Sequence, residues 1–530
     1  MDRVSENPTP VEPMPAAAPE TAEAPSASGR DVVSQQIRGS TLLVIGRLCA
    51  VAINFGVQVA IVRYLSKANY GAFAYALAIA TVCQTVAVAG LDKAITRFVS
   101  IYYEQREYRR VFGTIAVVAA TLGSISIVLV VGAYALQGAL GGSLISDRKA
   151  LSLLLILIFL GPLQAIDSLV LGLFAVFGRP RLIFFRAYVL APGLRLIVVA
   201  ALVLTHSSVF FLAVGYVVAG AAGTVIALFV LYEVFREEGL LEHLAVRTLD
   251  LPVRRIFAFT VPLLTTHLLY VILNSSNILL LGHFDGARAV AAFTVIQPAA
   301  ALNELVLASF TLLFTTAAAR LFARDDPAGI GDLYWQTAAW VAVMSFPIFA
   351  LTFSLAKPLT MTLYGERYSP SAVYLAVLSF GYYFQAALGM NGTTIMVFGK
   401  VRFITVINFL AIAVNLAANF VLIPLYGPLG AALGTAGTLF AHNIFKQVGM
   451  RRATGVEAFR GRYLTVYVSI AAGAAVLLGL QAWLDANLFE GLLLASVASL
   501  GIFGLNRGVL RMGQTFPELL RFPLARRVLL

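Results

Sequence analysis

Charge is scarce in this sequence, and so are cysteine and histidine. Only 12% of its 530 residues are Asp, Glu, Lys or Arg, whereas a soluble domain uses roughly 25% to keep its surface wet. A water-soluble globular protein is thereby excluded. There are two cysteines, Cys49 and Cys83, both in apolar stretches, so a disulfide framework is excluded and they read as small core residues. No metal-ligand cluster, nucleophile elbow or phosphate-binding glycine loop with its lysine occurs, and no ATPase is expected from the chain.

What is abundant is apolar length. Hydrophobic residues make up 60% of the chain, mean hydropathy is +0.87, and runs of about 20 apolar residues, enough to cross a hydrocarbon core, recur throughout. They predict an all-α integral membrane protein of about fourteen spans. The spans are expected at 41–62, 70–91, 111–135, 150–175, 187–205, 209–233, 256–281, 289–317, 336–356, 371–398, 403–425, 428–448, 463–484 and 490–506. The formal charge of +12 then reads as topology instead of nucleic-acid binding. With the N-terminus inside, 29 of the 38 Lys and Arg fall in cytoplasmic segments and seven in outer loops, while Arg47 and Arg195 lie inside spans. Both termini are expected in the cytoplasm of a bacterium, the protein sitting in its inner membrane. Residues 1–37, rich in Pro, Ala, Glu and Ser, read as a disordered tail and not as a signal peptide.

The chain also repeats itself. VFGRPRLIFF (176–185) resembles VFGKVRFITV (397–406) at an offset of 221 residues. Six spans return the chain to its starting side, so the two halves share one orientation, related by a pseudo-two-fold axis along the membrane normal. The expected organisation is an N-lobe at 38–235, a cytoplasmic linker at 236–255, a C-lobe at 256–448, an appended helix pair at 449–506 and a basic tail at 507–530.

Polar side chains in hydrocarbon are costly, about 2.5 to 3.5 kcal/mol for Asp, Lys or Arg at a helix centre, so the few present mark cavities or helix contacts. Arg47, Asn54 and Gln58 share one face of the first span, and His267 and Asn274 repeat the spacing of Arg47 and Asn54 in the seventh. An offset of 220 pairs Arg47 with His267, Asn54 with Asn274 and Gln84 with Glu304, and the offset of 221 pairs Gln164 with Gln385. These pairs predict one polar cavity between the halves, lined by spans one, two, four, seven, eight and ten. Arg195 in span five is placed for an anionic ligand or for pairing with Asp167. Glu304 is the candidate site for a coupling ion, H+ or Na+, and no cofactor is expected.

Each assignment has a plainer alternative. The amides serve equally as helix-to-helix hydrogen bonds, Arg47 can snorkel to the membrane surface, and Asp92 and Arg97 in GLDKAITRF read as helix-end charges beside Lys93. Gly430, Gly434 and Gly437, and more loosely Gly215, Gly220 and Gly223, have the spacing of close helix packing. Pro262, Pro298, Pro347 and Pro424 are candidate kinks or helix ends.

RYLSKANYGAFAYALAIA (63–80), GLDKAITRF (90–98), LYGERYSPSA (363–372) and NLAANFVLIPLYGPLGAALGTA (415–436) resemble the recurrent motifs of polysaccharide biosynthesis transporters. These Wzx-type flippases share the MOP superfamily with multidrug MATE exporters and lipid II flippases. The resemblance implies two six-helix lobes around a central cavity, alternating access without ATP hydrolysis, and a polyprenyl-diphosphate-linked oligosaccharide as cargo. The implied surroundings are membrane lipids, with glycan polymerases and glycosyltransferases as partner classes, and the chain acting as a monomer. A cation-coupled multidrug exporter of the same fold is one alternative. A membrane glycan polymerase or ligase is another, disfavoured because no outer loop is large enough for paired catalytic groups; a non-transporting assembly scaffold is a third.

Overall fold

The computed structural model describes residues 27–510 except 89, 140, 142–144, 146 and 244–248; the side chains of 27–42, 44–45, 243, 262–263, 265–270, 272–274 and 312 also lie outside the description. Among the described residues every regular element is helical. The first half comprises α1 (Ala27–Tyr64), α2 (Lys67–Glu104), α3 (Tyr108–Ala135), α4 (Arg148–Val176), α5 (Pro180–Leu204) and α6 (Val209–Glu237). The second begins with α7 (Val253–Thr294) and α8, which runs from Gln297–Ala301 through a 3-10 turn at Leu302–Glu304 into Leu305–Ala323. It continues with α9 (Pro327–Ser354), the short α10 (Ala356–Tyr364), α11 (Ser371–Val397), α12 (Val401–Tyr426) and α13 (Pro428–Thr454), and α14 (Gly461–Leu484) and α15 (Leu488–Asn506) follow. The helix of the first span starts at Ala27, eleven residues inside the expected tail, and residues 1–26 and 511–530 lie outside the described residues.

Eleven of these helices are long and apolar enough to cross a membrane, and twelve if the pair bent by 48° across Ser275–Thr294 and Gln297–Thr311 counts as one. The chain is a multi-pass membrane protein, and the exact count of fourteen is not confirmed by that measure, which covers the described residues alone. The spans expected at 256–281 and 289–317 are divided by a kink at one non-helical residue, Gly286 at φ 75°, in place of the seven-residue loop foreseen between them. An L side chain rarely adopts that conformation, and glycine does so freely. Helix α13 falls short because it carries His442, Asn443, Lys446, Gln447, Arg451 and Arg452.

The turn read as a repeat is one structure used twice. Phe174 O accepts from Arg179 N at 2.9 Å and Ile395 O from Lys400 N at 3.2 Å, with Gly178 at φ 62° and Gly399 at φ 72°. Both are six-to-one helix terminations whose left-handed residue is glycine, and each ends one helix and starts the next at the 221-residue offset.

Packing differs along the bundle. Where α1 terminates, one apolar core joins both halves: Leu65, Tyr70 and Phe73 of the first pack with Phe293, Tyr364, Tyr368 and Leu375 of the second. Beyond this joined core each half has a separate one, the first of α2, α3, α4 and α6 with Ile256 of α7, the second chiefly of α8, α9, α11 and α14. Helix α7 belongs to both the joined core and that of the first half. A Cβ on Gly71 would stand 1.8 Å from the carbonyl of Ala287, so α2 and α7 touch backbone to backbone there, and Arg97 lies 4.6 Å over the ring of Phe259 further down.

Candidate functional site

A cavity of about 700 Å³ opens between the elements just described. Its walls are α1, α2, α4, α5 and α6, closed on one side by Ser275 and Ile278 of α7 and Gln297 of α8. Of the residues expected there, Asn54 and Gln58 from α1, Gln84 from α2, Gln164 from α4 and Arg195 from α5 line it. Gln58 also ties the wall together, donating to the hydroxyl of Tyr70 at 3.2 Å and to the carbonyl of Thr294 at 3.3 Å.

Several expectations are corrected. Arg47 is exposed and is not among the lining residues, since the neighbouring Gly46 packs that face of α1 against Phe184 and Tyr188. The side chains of His267 and Asn274 lie outside the described residues. Gln385 and Glu304 do not reach this cavity, so span ten contributes nothing to it. Asp167 does line it, but its partner is Arg186 at 2.8 Å, not Arg195. Arg195 instead stands 5.8 Å over the ring of Tyr216, which meets Phe73 edge-on, and no carboxylate lies within ion-pair distance of it among the described residues.

Arg186 is the residue that sequence reasoning missed. It sits near the start of its helix, where an arginine reads as one more basic group of a cytoplasmic loop. The structure buries it, with 8% of its side chain exposed against 12% for Asp167. The cause is a π-helical turn at Phe185–Leu190. Nine residues separate Arg186 from Arg195, about two and a half turns, which in a regular helix would set them on opposite faces. The widened turn absorbs roughly one residue and swings both onto the cavity side. Opposite, Gly223 of α6 makes room, since a Cβ there would lie 3.2 Å from the guanidinium. Gly215 and Gly220 meet side chains of α5 and α4, Val198 and Leu163, as close packing requires.

The second half gathers its polar residues differently. Gln385 donates its amide to Glu304, which sits on the 3-10 turn of α8. Asn303 beside it donates to Ala300 O at 2.9 Å and to Thr352 Oγ1 at 3.0 Å. Lys446 of α13 interacts electrostatically with Glu304 without ion-pair contact. Further along, Asn391 donates to Asn443 and Gln447, and Tyr334 to Gln447 at 2.7 Å. This is a packed network. Among the described residues no group of three or more His, Cys, Asp or Glu could hold a metal ion.

Two arginines lock the joined end. Arg63, one residue before the end of α1, donates to the carbonyls of Leu363, at 2.9 Å, and Thr362 at the C-terminus of α10. Arg367 returns the contact to the carbonyls of Val62 and Arg63 at the C-terminus of α1. Each arginine thus satisfies the orphan carbonyls that end the other half's helix. Asp92 pairs with Lys93 at 3.3 Å, the plain role foreseen for it.

The sequence model of the polysaccharide biosynthesis protein family matches residues 37–318, more than half of the chain, and the MatE model matches residues 262–421. No single curated protein matches the sequence. Solved structures share the fold. The lipid II flippase MurJ in an inward closed conformation aligns over 88% of this chain and 99% of its own, with TM-score 0.68 and 12% identity. An inward-facing multidrug resistance MATE family transporter of the MOP superfamily covers 76% and 94%, at TM-score 0.56 and 14% identity. The Vibrio cholerae MATE transporter VcmN, as a mutant, covers 81% and 99%, at TM-score 0.51 and 17% identity. The chain belongs to the polysaccharide biosynthesis protein family.

Proposed function

We propose that the protein is a flippase that carries a polyprenyl-diphosphate-linked oligosaccharide across the membrane by alternating access. The observation that carries this reading is Arg195, a cation without a carboxylate partner among the described residues, in a membrane-embedded cavity where amides and hydroxyls share the wall with apolar side chains and the Asp167–Arg186 pair. A guanidinium suits phosphate because its planar fork matches the oxygens of the anion, and amides such as Asn54, Gln84 and Gln164 suit sugar hydroxyls. A cavity of about 700 Å³ is in the range of sites that enclose a medium-sized ligand. The lipid tail would remain in the bilayer.

The reading of alternating access draws on this unequal packing. One end is held by a core shared between the halves and by the arginine clasp, while beyond it each half keeps a core of its own. Release of Arg63 and Arg367 from the opposing carbonyls and parting of the shared core would open that joined end, which the charge bias of the loops favours as the outer one. The test is polysaccharide export in cells carrying Arg195→Ala at matched protein level. A fall of tenfold or more is expected; unchanged export would remove the cargo assignment.

A multidrug exporter is the second reading, favoured by the MatE match and by Asp167, an acid in the first half's cavity. It predicts that Asp167→Asn sensitises cells to cationic drugs while leaving polysaccharide export intact.

A further inference from the structure

The Asp167–Arg186 pair is an unusual feature for a binding wall. Both side chains line the cavity, yet both are nearly buried. Oδ1 of Asp167 and Nε of Arg186 stand 2.8 Å apart, close enough for an ion pair, but they are not aligned as a hydrogen bond, and neither atom has another partner. The rest of the guanidinium packs against Gly223, whose missing side chain leaves room for it beside α6. A buried charge pair with imperfect geometry gains little over its desolvation cost, so a better-fitting anion at Arg186 meets only modest resistance.

We propose that Asp167 is a resident counter-anion which the cargo must displace, so that binding of a diphosphate to Arg186 and Arg195 leaves Asp167 to take up one proton. The inference rests on the flippase reading and deepens it by naming what selects the cargo. A phosphate oxygen brings more charge than a carboxylate and can engage the guanidinium in parallel hydrogen bonds, whereas a neutral sugar or a monoanion gains nothing by replacing a carboxylate already there. Once Arg186 turns to the cargo, Asp167 is a carboxylate in a buried wall without its counter-ion. Such a group neutralises by binding a proton instead of bearing the cost of isolated charge. The proton comes from the water of the open cavity and is returned when the cargo leaves and the ion pair re-forms. Two negative charges therefore enter with one compensating proton.

The other ionisable groups on the helices packed against α4 do not compete for this role. In the cavity these are Arg195 on α5, Tyr216 on α6 and Tyr70 on α2, and Arg195 is engaged with Tyr216. Asp92 lies beyond the cavity, its carbonyl 3.7 Å from the Cβ position of Gly172, and is already paired with Lys93. The groove between α3 and α4 is lined by apolar residues and Ser126.

The experiment is calorimetric binding of inorganic pyrophosphate to the purified full-length protein, in buffers of differing ionisation enthalpy, compared with Asp167→Asn, Asp167→Glu and Arg195→Ala. The proton uptake of pyrophosphate itself cancels in the differences. Wild type is expected to take up about one proton more than Asp167→Asn. That variant should bind pyrophosphate at least tenfold more tightly and also bind acetate, which wild type refuses. Asp167→Glu should restore the proton, guarding against misfolding as the cause. If Arg195→Ala weakens pyrophosphate binding while wild type and Asp167→Asn agree in proton number and anion preference, the exchange is overturned and the cavity reading stands. If wild type binds no pyrophosphate, both are overturned.

Discussion

The two halves of this molecule share a turn and almost none of their charges. At the 221-residue offset that superimposes the Gly178 and Gly399 turns, Asp167 corresponds to Leu388, Arg186 to Ile407 and Arg195 to Leu416. In the other direction Lys446 corresponds to Val225, and Glu304 faces Gln84 one residue out of step. The turn is common to both halves and these charges are not. Helix α12 also runs from Val401 to Tyr426 without the π turn that rotates Arg186 inward on α5. The first half consequently offers an open, cationic cavity, whereas the second ties its polar groups to one another. Where a binding wall needs groups free to meet a ligand, a packed network satisfies its own members, and this favours the first half as the cargo site.

The largest expected effect comes from breaking the first half's pair unevenly. Arg186→Ala leaves Asp167 buried without a counter-ion and should cost about 3 to 5 kcal/mol of stability, read as a large fall in the midpoint of thermal unfolding in detergent. The double variant Asp167→Asn, Arg186→Gln removes both charges and should recover most of that loss. If the single variant is as stable as wild type, the pair is not the buried one described.

Next in size is the contrast between Arg195→Ala and Glu304→Gln. The former should reduce pyrophosphate affinity by about ten- to a hundredfold, the worth of one charge-assisted contact of roughly 1.5 to 3 kcal/mol, with stability nearly unchanged. The latter keeps the hydrogen bond with Gln385 within reach and should leave pyrophosphate affinity within twofold. Equal losses in both would place the cargo between the halves, where the sequence pairing had put it.

A smaller effect is expected at the joined end. Substituting Arg63 and Arg367 together by Ala removes four backbone contacts, but the shared aromatic core remains. A cysteine replacing Ala74 in the cavity should then react several-fold faster with a membrane-impermeant thiol reagent added from outside, in a background lacking Cys49 and Cys83. No change would mean that the core alone holds that end shut.

The smallest concerns Gly223→Ala. The new methyl would press on the Arg186 guanidinium at 3.2 Å, and the long side chain should yield at a cost of about 1 kcal/mol. Gly437→Ala, where nothing lies within 4 Å, should be neutral and serves as the control.

Much of this architecture is legible in the amino-acid order, because apolar runs of membrane length and a charge bias in the loops need no tertiary information. The repeated turn is equally plain, since a glycine followed by a base, any residue and a second base leaves a local signature. Asn54, Gln58, Gln84, Gln164 and Arg195 could be singled out because polar groups are rare and costly in such helices. Arg186 could not. Its burial depends on a π turn whose residues, Phe185 to Leu190, carry no distinctive pattern, and by position it counts among the loop cations. Of the two alternatives for Arg195, the pairing with Asp167 is not met for the same reason, as regular helical geometry gave no cause to bring Arg186 to that face. The cross-half pairs were read as one cavity on symmetry alone. Glu304 and Gln385 are polar and inward, but they found each other first. Between 256–281 and 289–317 a loop is expected where the chain has the single kink at Gly286, and polar network residues dilute the apolar character of α13.

The central claim is that the anionic part of the cargo binds in the first half. A structure of the protein with a short-chain polyprenyl diphosphate bound tests it most directly. The account predicts phosphate oxygens about 3 Å from the guanidinium groups of Arg186 and Arg195, with Asp167 turned away from its partner. Phosphate density beside Lys446 in the second half, with the Asp167–Arg186 pair intact, would contradict it.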